Sequence, residues 1–144
     1  MIGLISDTHG LLREEAVRAL ADSELIIHAG DVGKADVLER LKELAPVVAV
    51  RGNIDQDETL PMTAMVRAGA ATIFVLHDVK TLGPVPEGID IVVSGHSHKP
   101  DHSERHGVLF LNPGAAGPRR FKLPISVARL DVSGKPWKVE FVTL

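Results

Sequence analysis

Several short apolar segments of the sequence are each followed by a side chain that can bind a metal ion. Glycine stands directly before three of these side chains, at Gly30, Gly52 and Gly95, as tight turns beside a crowded site require. In chain order the side chains are Asp7, His9, Asp31, Asn53, His77, His96 and His98. Carboxylate and imidazole ligands together suit Mn²⁺, Fe, Zn²⁺, Ni²⁺ or Co²⁺. Seven ligands are too many for one tetrahedral ion, and they match two ions that share a bridging carboxylate, an arrangement that acts on phosphate esters.

The apolar segments are predicted strands, because Ile, Val, Leu and Phe recur in short runs bounded by turn formers. Amphipathic spacing predicts helices over 12–20 and 36–44, so the first half has the order β-α-β-α-β, which favours a parallel sheet. The carboxyl ends of such strands meet at one sheet edge, where we expect the metal-binding side chains to converge. The eight predicted strands are 2–5, 25–28, 47–50, 72–76, 89–93, 108–111, 125–130 and 139–142.

The second half of the chain has a different pattern. Its predicted strands follow one another closely, and Ser133-Gly134-Lys135-Pro136 is typical of a hairpin turn. Mixed or antiparallel pairing is therefore predicted. Residues 62–68 fit either a short helix or an extended loop. The stretch 99–106 is predicted to be a polar loop, with His102 and His106 exposed.

Composition limits the class of protein. The chain has 144 residues, of which 44% are hydrophobic and 24% charged, and this predicts one soluble globular domain over 1–144. No apolar run approaches the roughly 18 residues of a membrane span. The absence of cysteine excludes a disulfide framework and a cysteine metal site. The net charge of -3 argues against a broad nucleic-acid surface. Asp7 follows Met1 too closely for a secretory signal, which predicts a cytoplasmic location.

Most of the candidate residues also have a simpler interpretation. Asp7 and Asp31 could cap helices, and Asn53 could be an ordinary turn residue, but their places in the series favour metal binding. We expect His28 to have a structural role, such as orienting Asp31 by a hydrogen bond, rather than to bind a metal ion directly. Three basic residues could bind substrate phosphate or carry surface charge, and they are Arg51, Arg119 and Arg120.

The ordered set of motifs resembles the signature of the calcineurin-like metallophosphoesterases. The matching motifs are Asp7-x-His9, Gly30-Asp31, Gly52-Asn53, His77 and Gly95-His96-x-His98. Within this family, the chain resembles the small prokaryotic phosphodiesterase subfamily similar to YfcE. The features that carry this resemblance are the small size of the chain, Asn112-Pro113-Gly114 and the trailing Pro118-Arg119. The same subfamily also resembles the eukaryotic retromer scaffold subunit. The resemblance extends from Asp7 to about Arg119.

The resemblance implies both a fold and a set of ligands. The fold would be an α/β, four-layer αββα sandwich, in which two mixed sheets lie face to face with helices outside. The cofactors would be two divalent ions, with Mn²⁺ expected first and Ni²⁺, Zn²⁺, Fe or Co²⁺ as alternatives. One ion would be held by Asp7, His9 and His98. The other would be held by Asn53, His77 and His96, and Asp31 would bridge them.

The sequence departs from the family pattern at two positions. Many relatives have a histidine after Gly-Asn that is thought to protonate the leaving group, whereas this chain has Ile54, which cannot donate a proton. Many relatives also have Gly-His after the fourth-strand histidine, whereas here Asp78 and Val79 follow His77. Asp78 could hydrogen-bond a ligand or simply begin a loop.

The expected reaction is hydrolysis of a small phosphate ester, foremost a phosphodiester, by a hydroxide that bridges the two ions. Because Ile54 is no proton donor, the rate should fall steeply as the leaving-group pKa rises. The alternatives are a non-catalytic protein-binding module on the same fold, a nuclease and a phosphomonoesterase. An exposed Trp137 or Phe121 could mark a partner surface, and a homodimer or higher homo-oligomer stays open.

Overall fold

Ten strands form two five-stranded sheets in the computed structural model, which describes residues 1–144. The strands are β1 (Ile2–Ile5), β2 (Leu25–His28), β3 (Val47–Ala49), β4 (Thr63–Ala68), β5 (Ala71–Leu76), β6 (Ile91–Val93), β7 (Asp101–Arg105), β8 (Val108–Asn112), β9 (Ser126–Asp131) and β10 (Lys138–Thr143). The helices are α1 (Glu14–Ala19) and α2 (Ala35–Lys42), with one turn of 3-10 helix at Val79–Thr81.

The first sheet has the strand order β10-β9-β1-β2-β3. β1, β2 and β3 are parallel and are connected by α1 and α2, so the predicted β-α-β-α-β unit is confirmed. β9 pairs antiparallel with β1 and with β10, and the predicted turn at 133–136 lies between β9 and β10. β1 therefore occupies the centre of a mixed sheet.

The second sheet has the strand order β4-β5-β6-β8-β7. β5, β6 and β8 are parallel, and the two edge strands β4 and β7 run antiparallel to their neighbours. Mixed pairing in the second half of the chain is thus confirmed. Both sheets place the carboxyl ends of their central parallel strands next to the loops that carry the predicted ligands.

Apolar side chains bury the facing surfaces of the two sheets against each other. Leu4 and Ile27 of the first sheet belong to the same buried cluster as Ile73 and Ile91 of the second. The amphipathic faces of α1 and α2 cover the other side of the first sheet, where they form a second buried cluster. The outer face of the second sheet carries a smaller cluster that packs against the 3-10 helix and the loop after it. The expected sandwich of two mixed sheets is confirmed, and its outer layers are unequal.

Two strands depart from the sequence prediction. β4 covers the segment left open between a short helix and an extended loop, and alternate residues Ala64, Val66 and Ala68 pack against the core. Its alanine, methionine and arginine residues also favour helices, so the sequence alone did not distinguish a helix from an extended segment here. β7 lies in the stretch predicted to be a loop, and it was missed because an exposed polar edge strand has no apolar alternation.

The remaining differences from the sequence prediction are small. α1 is shorter than the predicted helix over 12–20, and the strand bounds shift by one or two residues. His102 and His106 are exposed, as predicted. None of the helices combines the length and apolar character needed to cross a membrane.

Candidate metal centre

The loops that follow β1, β2, β5 and β6 are joined by backbone hydrogen bonds at one edge of the sandwich. The Asp7 N–H donates to the Gly30 carbonyl at 3.0 Å, and the His9 N–H donates to the Asp31 carbonyl at 2.9 Å. The Gly95 N–H donates to the His77 carbonyl at 2.9 Å, which joins the corresponding loops of the second sheet. The predicted convergence of the strand ends is confirmed, and all seven predicted ligand side chains lie together.

The Asp7 carboxylate uses its two oxygens differently. Oδ2 accepts hydrogen bonds from the Ser6 hydroxyl at 2.6 Å and from the His96 N–H at 3.0 Å. Oδ1 is buried and has no hydrogen-bond partner, and it lies 3.3 Å from Nε2 of His98 and 3.8 Å from Nε2 of His9 and of His77. A fully buried carboxylate oxygen without a donor, facing three imidazole nitrogens, needs a cation to compensate it.

The two oxygens of the Asp31 carboxylate also have different partners. Oδ1 accepts from the Ile54 N–H at 3.0 Å, whereas Oδ2 lies 3.4 Å from Nε2 of His9 and 3.3 Å from Nε2 of His77. Burial raises the pKa of Asp31, but hydrogen bonds from His77 and Ile54 outweigh it and hold the pKa below its ordinary value. Asp31 is therefore ionised and lies equally close to two different histidines.

The two ring nitrogens of His77 face different groups. Nδ1 donates to the Ala29 carbonyl at 2.8 Å, and Nε2 faces Asp31. Metal-binding histidines ordinarily donate their second N–H as Nδ1 does here. Burial lowers the pKa of His77, but Asp31, the Ala29 carbonyl and Asp7 outweigh it and hold the pKa above its ordinary value, so Nε2 donates to Asp31 when no ion is bound. A bound ion would replace that proton. Burial lowers the pKa of His98, an effect that Asp7 opposes and the charge of Arg120 reinforces, and the net shift is downward. A neutral imidazole is the form that ligates a metal.

Asn53 and His96 complete the cluster on its solvent side. One terminal atom of the Asn53 amide lies 2.9 Å from Nε2 of His77 and 3.2 Å from Nδ1 of His96. The same amide atom lies 3.1 Å from Oδ2 of Asp31. The His96 side chain is 45% exposed, the largest fraction among the four histidines of the cluster.

Two groups of side chains have ligand atoms within 4.8 Å of one another. One contains Asp7, His9 and His98, and the other contains Asp7, Asp31 and His77. The buried His9 Nε2 has no hydrogen-bond partner, as with Asp7 Oδ1. Carboxylate oxygens and imidazole nitrogens in this arrangement fit divalent transition-metal ions.

Most of the predicted ligands adopt an unusual backbone conformation. Asp7, His9, Asp31, His96 and His98 have φ between 46° and 72°, in the left-handed region that L-residues rarely adopt. Asp7 and Asp31 do not cap helices, because the N-cap residues of α1 and α2 are Arg13 and Lys34. Neither N-cap makes a side-chain hydrogen bond to its helix. The left-handed turns direct the side chains of strand-end residues into one space.

Two glycines are required by close approach to the carboxylates. A Cβ at Gly52 would overlap Oδ1 and the backbone nitrogen of Asp31. A Cβ at Gly95 would overlap the Ser6 hydroxyl, and it would lie 2.5 Å from Oδ2 of Asp7. The sequence analysis expected glycines in this role beside the ligands.

His28 supports the backbone of the site, but it does not contact Asp31 as the sequence analysis suggested. Its Nδ1 accepts from the Gly30 N–H at 3.1 Å, so Nε2 carries the proton and donates to the Thr8 hydroxyl at 3.0 Å. Thr8 in turn donates to the Val32 carbonyl at 2.8 Å. Burial lowers the pKa of His28 to about 4. A neutral, fully hydrogen-bonded His28 thus joins the loops that carry Asp7 and Asp31.

Two further residues support the site and were not predicted from the sequence. The Asp55 carboxylate accepts from the backbone N–H groups of Val32, Gly33 and Gly52, at 3.2, 3.0 and 2.9 Å. Asn112 donates to the Gly95 carbonyl at 2.9 Å and to the Ser97 hydroxyl at 3.1 Å. In the sequence, Asn112 stood out only as part of Asn112-Pro113-Gly114, and its role as a support was not foreseen.

The other residues singled out from the sequence lie around the cluster. Arg51 lines a cavity of about 260 Å³ that also reaches Asn53, His77 and His96. Arg119 is exposed, as is Arg120, whose charge acts on His98. Phe121 is 87% exposed, whereas Trp137 is half-buried against the core between the sheets.

Comparison with known proteins places this geometry in a family. The model of the calcineurin-like phosphoesterase superfamily domain matches residues 1–135. A probable metallophosphoesterase of Methanocaldococcus jannaschii is 36% identical, over 94% of this chain and 77% of its own length. The solved structure of YfcE, a phosphoesterase from Escherichia coli, superposes with a TM-score of 0.73 at 28% identity, covering 90% of this chain and 87% of YfcE.

A eukaryotic structure has the same fold. Vps29 from Chaetomium thermophilum superposes with a TM-score of 0.80 at 20% identity, covering 99% of this chain and 95% of Vps29. The family match spans almost the whole chain and includes every residue of the cluster. The chain belongs to the calcineurin-like phosphoesterase superfamily and is a metal-dependent phosphoesterase.

Proposed function

We propose that the chain is a phosphodiesterase that works with two divalent metal ions. The observation that carries the proposal is the pair of carboxylates, Asp7 and Asp31, each with one oxygen fixed by donors and the other facing several histidine Nε2 atoms. This is the donor set that two closely spaced ions require. A relative named phosphodiesterase YfcE, from Escherichia coli, is 32% identical over 88% of this chain and supports the diester specificity.

The side chains divide between the two ions as follows. Asp7, His9 and His98 would hold one ion, and Asn53, His77 and His96 would hold the other. Asp31 would be the shared ligand, a role that its Oδ2, 3.4 Å from His9 and 3.3 Å from His77, supports. Mn²⁺ is the proposed metal, with Ni²⁺, Zn²⁺, Fe or Co²⁺ as alternatives suited to the same ligands.

Two ions held by these residues would supply a hydroxide nucleophile and would neutralise charge on the phosphoryl oxygens. The chain's own residues set the rest of the reaction. Ile54 offers no proton to the leaving group, so diesters with stable leaving anions are the favoured substrates. Arg119 is proposed to bind the substrate phosphate through its guanidinium group. The single-domain organisation, the cytoplasmic location and a homo-oligomeric state stay predictions.

The test is hydrolysis of bis-p-nitrophenyl phosphate and of p-nitrophenyl phosphate by metal-stripped protein resupplied with Mn²⁺, Ni²⁺ or Zn²⁺. We expect metal-dependent turnover of the diester that is lost in Asp31→Ala and in His96→Ala. The matched control is His106→Ala, which removes an exposed histidine outside the cluster and should leave the rate unchanged. Circular dichroism of each variant separates loss of the centre from loss of the fold.

Three other results would redirect the assignment. Faster turnover of the monoester would indicate a phosphomonoesterase, and turnover of oligonucleotides alone would indicate a nuclease. Protein that binds two ions without any turnover would be a binding module. A rate that is flat across aryl diesters of different leaving-group pKa would contradict the absence of a proton donor at Ile54.

A further inference from the structure

Asp78 lies beside the metal cluster, in a position where the sequence departs from the family pattern. It directly follows His77 and is the N-cap of the 3-10 helix Val79–Thr81. Its Oδ1 accepts a hydrogen bond from the Lys80 N–H at 3.0 Å. Its Oδ2 lies 3.9 Å from Nε2 of His96. One oxygen therefore belongs to the helix cap, and the other faces a predicted metal ligand.

The two ring nitrogens of His96 face different groups. Nδ1 lies 3.2 Å from the Asn53 amide, inside the cluster, and Nε2 faces Asp78. If His96 binds a metal through Nδ1, its Nε2 carries the proton. The group that Nε2 faces is then a carboxylate, which is a strong acceptor for that N–H.

His96 needs an external partner more than its neighbour His77 does. The His77 ring is buried and its Nδ1–H is fixed by the Ala29 carbonyl. The His96 ring is 45% exposed, and it meets His77 edge to face with ring centroids 5.2 Å apart. Packing alone leaves such a ring free to rotate, and a ligand that rotates binds its ion more weakly.

We propose that Asp78 is a positioning residue that orients His96 for metal binding. The inference rests on the proposed two-metal centre. Nε2 of His96 and Oδ2 of Asp78 are 3.9 Å apart, and a hydrogen bond between them would fix the His96 tautomer with Nδ1 directed at the ion. Asp78 also adds negative charge on the side of Asn53, His77 and His96, which has only neutral ligands apart from the bridging Asp31. Loss of such a partner typically weakens metal binding by about 10-fold to 100-fold.

The helix cap can be separated from the effect on His96. Asp78→Asn keeps a side-chain oxygen for the Lys80 N–H but removes the charge and places an amide opposite the His96 N–H. Asp101→Asn is the matched control, because Asp101 is an exposed carboxylate that lines, together with Asp78 and His96, a second cavity of about 260 Å³. Both variants change the net charge of the protein by the same amount.

The experiment is calorimetric titration of Mn²⁺ into the metal-stripped chain. We expect Asp78→Asn to weaken one of the two binding events by about 10-fold to 100-fold and to leave the other unchanged. Asp101→Asn should bind both ions as the wild type does. In a His96→Ala background, Asp78→Asn should have little further effect, because residues that act through one another are not additive.

Two results would overturn the proposal. The first is that Asp78→Asn binds Mn²⁺ at both metal sites with the affinity of the wild type. The other is an undiminished effect of Asp78→Asn in the His96→Ala background, which would indicate that Asp78 acts through the helix cap or by charge alone. The proposed function fails separately, since it requires two ions in the wild-type chain and turnover of the diester. If the wild type binds one ion, the Asp78 effect is measured on that ion.

Discussion

Backbone strain is concentrated at the predicted ligands. Seven residues other than glycine have left-handed φ, and five of them belong to the metal cluster. Such conformations are unfavourable for L-residues and persist only where the surrounding structure fixes them. At this site hydrogen bonds between neighbouring loops fix them, such as those that His28 and Asp55 accept from backbone N–H groups. Single supporting residues should therefore have measurable effects on the stability of the protein.

His28 should make the ion-free protein less stable in mild acid. Its pKa is about 4 in the folded chain and about 6.5 when unfolded. Between these values the unfolded chain binds a proton that the folded chain does not, so the free energy of unfolding falls as the pH drops from 6.5 to 4. The loss from this group approaches about 3 kcal/mol. Urea unfolding across this pH range measures it.

The comparison for this prediction is between histidine variants. His28→Asn should be less stable at pH 7 but should have a shallower pH dependence than the wild type. His106→Asn removes an exposed histidine and should keep the wild-type slope. Parallel profiles for His28→Asn and the wild type would contradict the prediction.

At the scale of elements, Asp55 connects the loop after β2 to the loop after β3. Its carboxylate accepts three hydrogen bonds from backbone N–H groups, those of Val32 and Gly33 in the first loop and that of Gly52 in the second. Asp55→Ala would leave these donors without a partner and should lower the free energy of unfolding by about 1–3 kcal/mol. It should also weaken metal binding, because Asp31 and Asn53 lie in the two connected loops.

The matched control is Asp57→Ala. Asp57 is exposed and accepts hydrogen bonds from Thr59 within its own loop, so its loss should change unfolding by much less. Urea unfolding of the ion-free variants compares the two. Equal destabilisation by both substitutions would mean that Asp55 does not connect the loops.

The sequence predicts most elements and the members of the site, but not the supports. Buried parallel strands and strand-end motifs have local signals, such as the apolar run that precedes Asp7. β7 has none, because an edge strand with five polar or charged residues is held by its partner β8 rather than by burial of its own side chains. Asp55 and Asn112 were missed for a related reason, since most of their hydrogen-bond partners lie far from them in the sequence.

On the scale of the whole molecule, bound ions should stabilise the fold. The ligands come from loops of both sheets, and the unfolded chain does not gather them. An ion present at 100 times its Kd adds about 2.7 kcal/mol to the free energy of unfolding. For a chain of 144 residues this corresponds to a rise in Tm of about 8 °C.

Thermal unfolding with EDTA and with saturating Mn²⁺ tests this prediction. His96→Ala should reduce the metal-dependent rise, because it removes a ligand but leaves the core intact. The same Tm with and without Mn²⁺, in protein shown to bind the ion, would mean that the ligands are equally available in the unfolded chain.

The central position of β1 has a consequence for the order of folding during synthesis. β1 precedes all the other strands, yet Leu4 pairs with Ala128 of β9, which is made after β2 to β8. Contacts this distant in sequence form slowly, because a long loop must close before they stabilise anything. A nascent chain on the ribosome therefore exposes one edge of β1 until β9 emerges. We expect Asp7, at the end of that strand, to acquire its full ability to capture an ion only after β9 has been made.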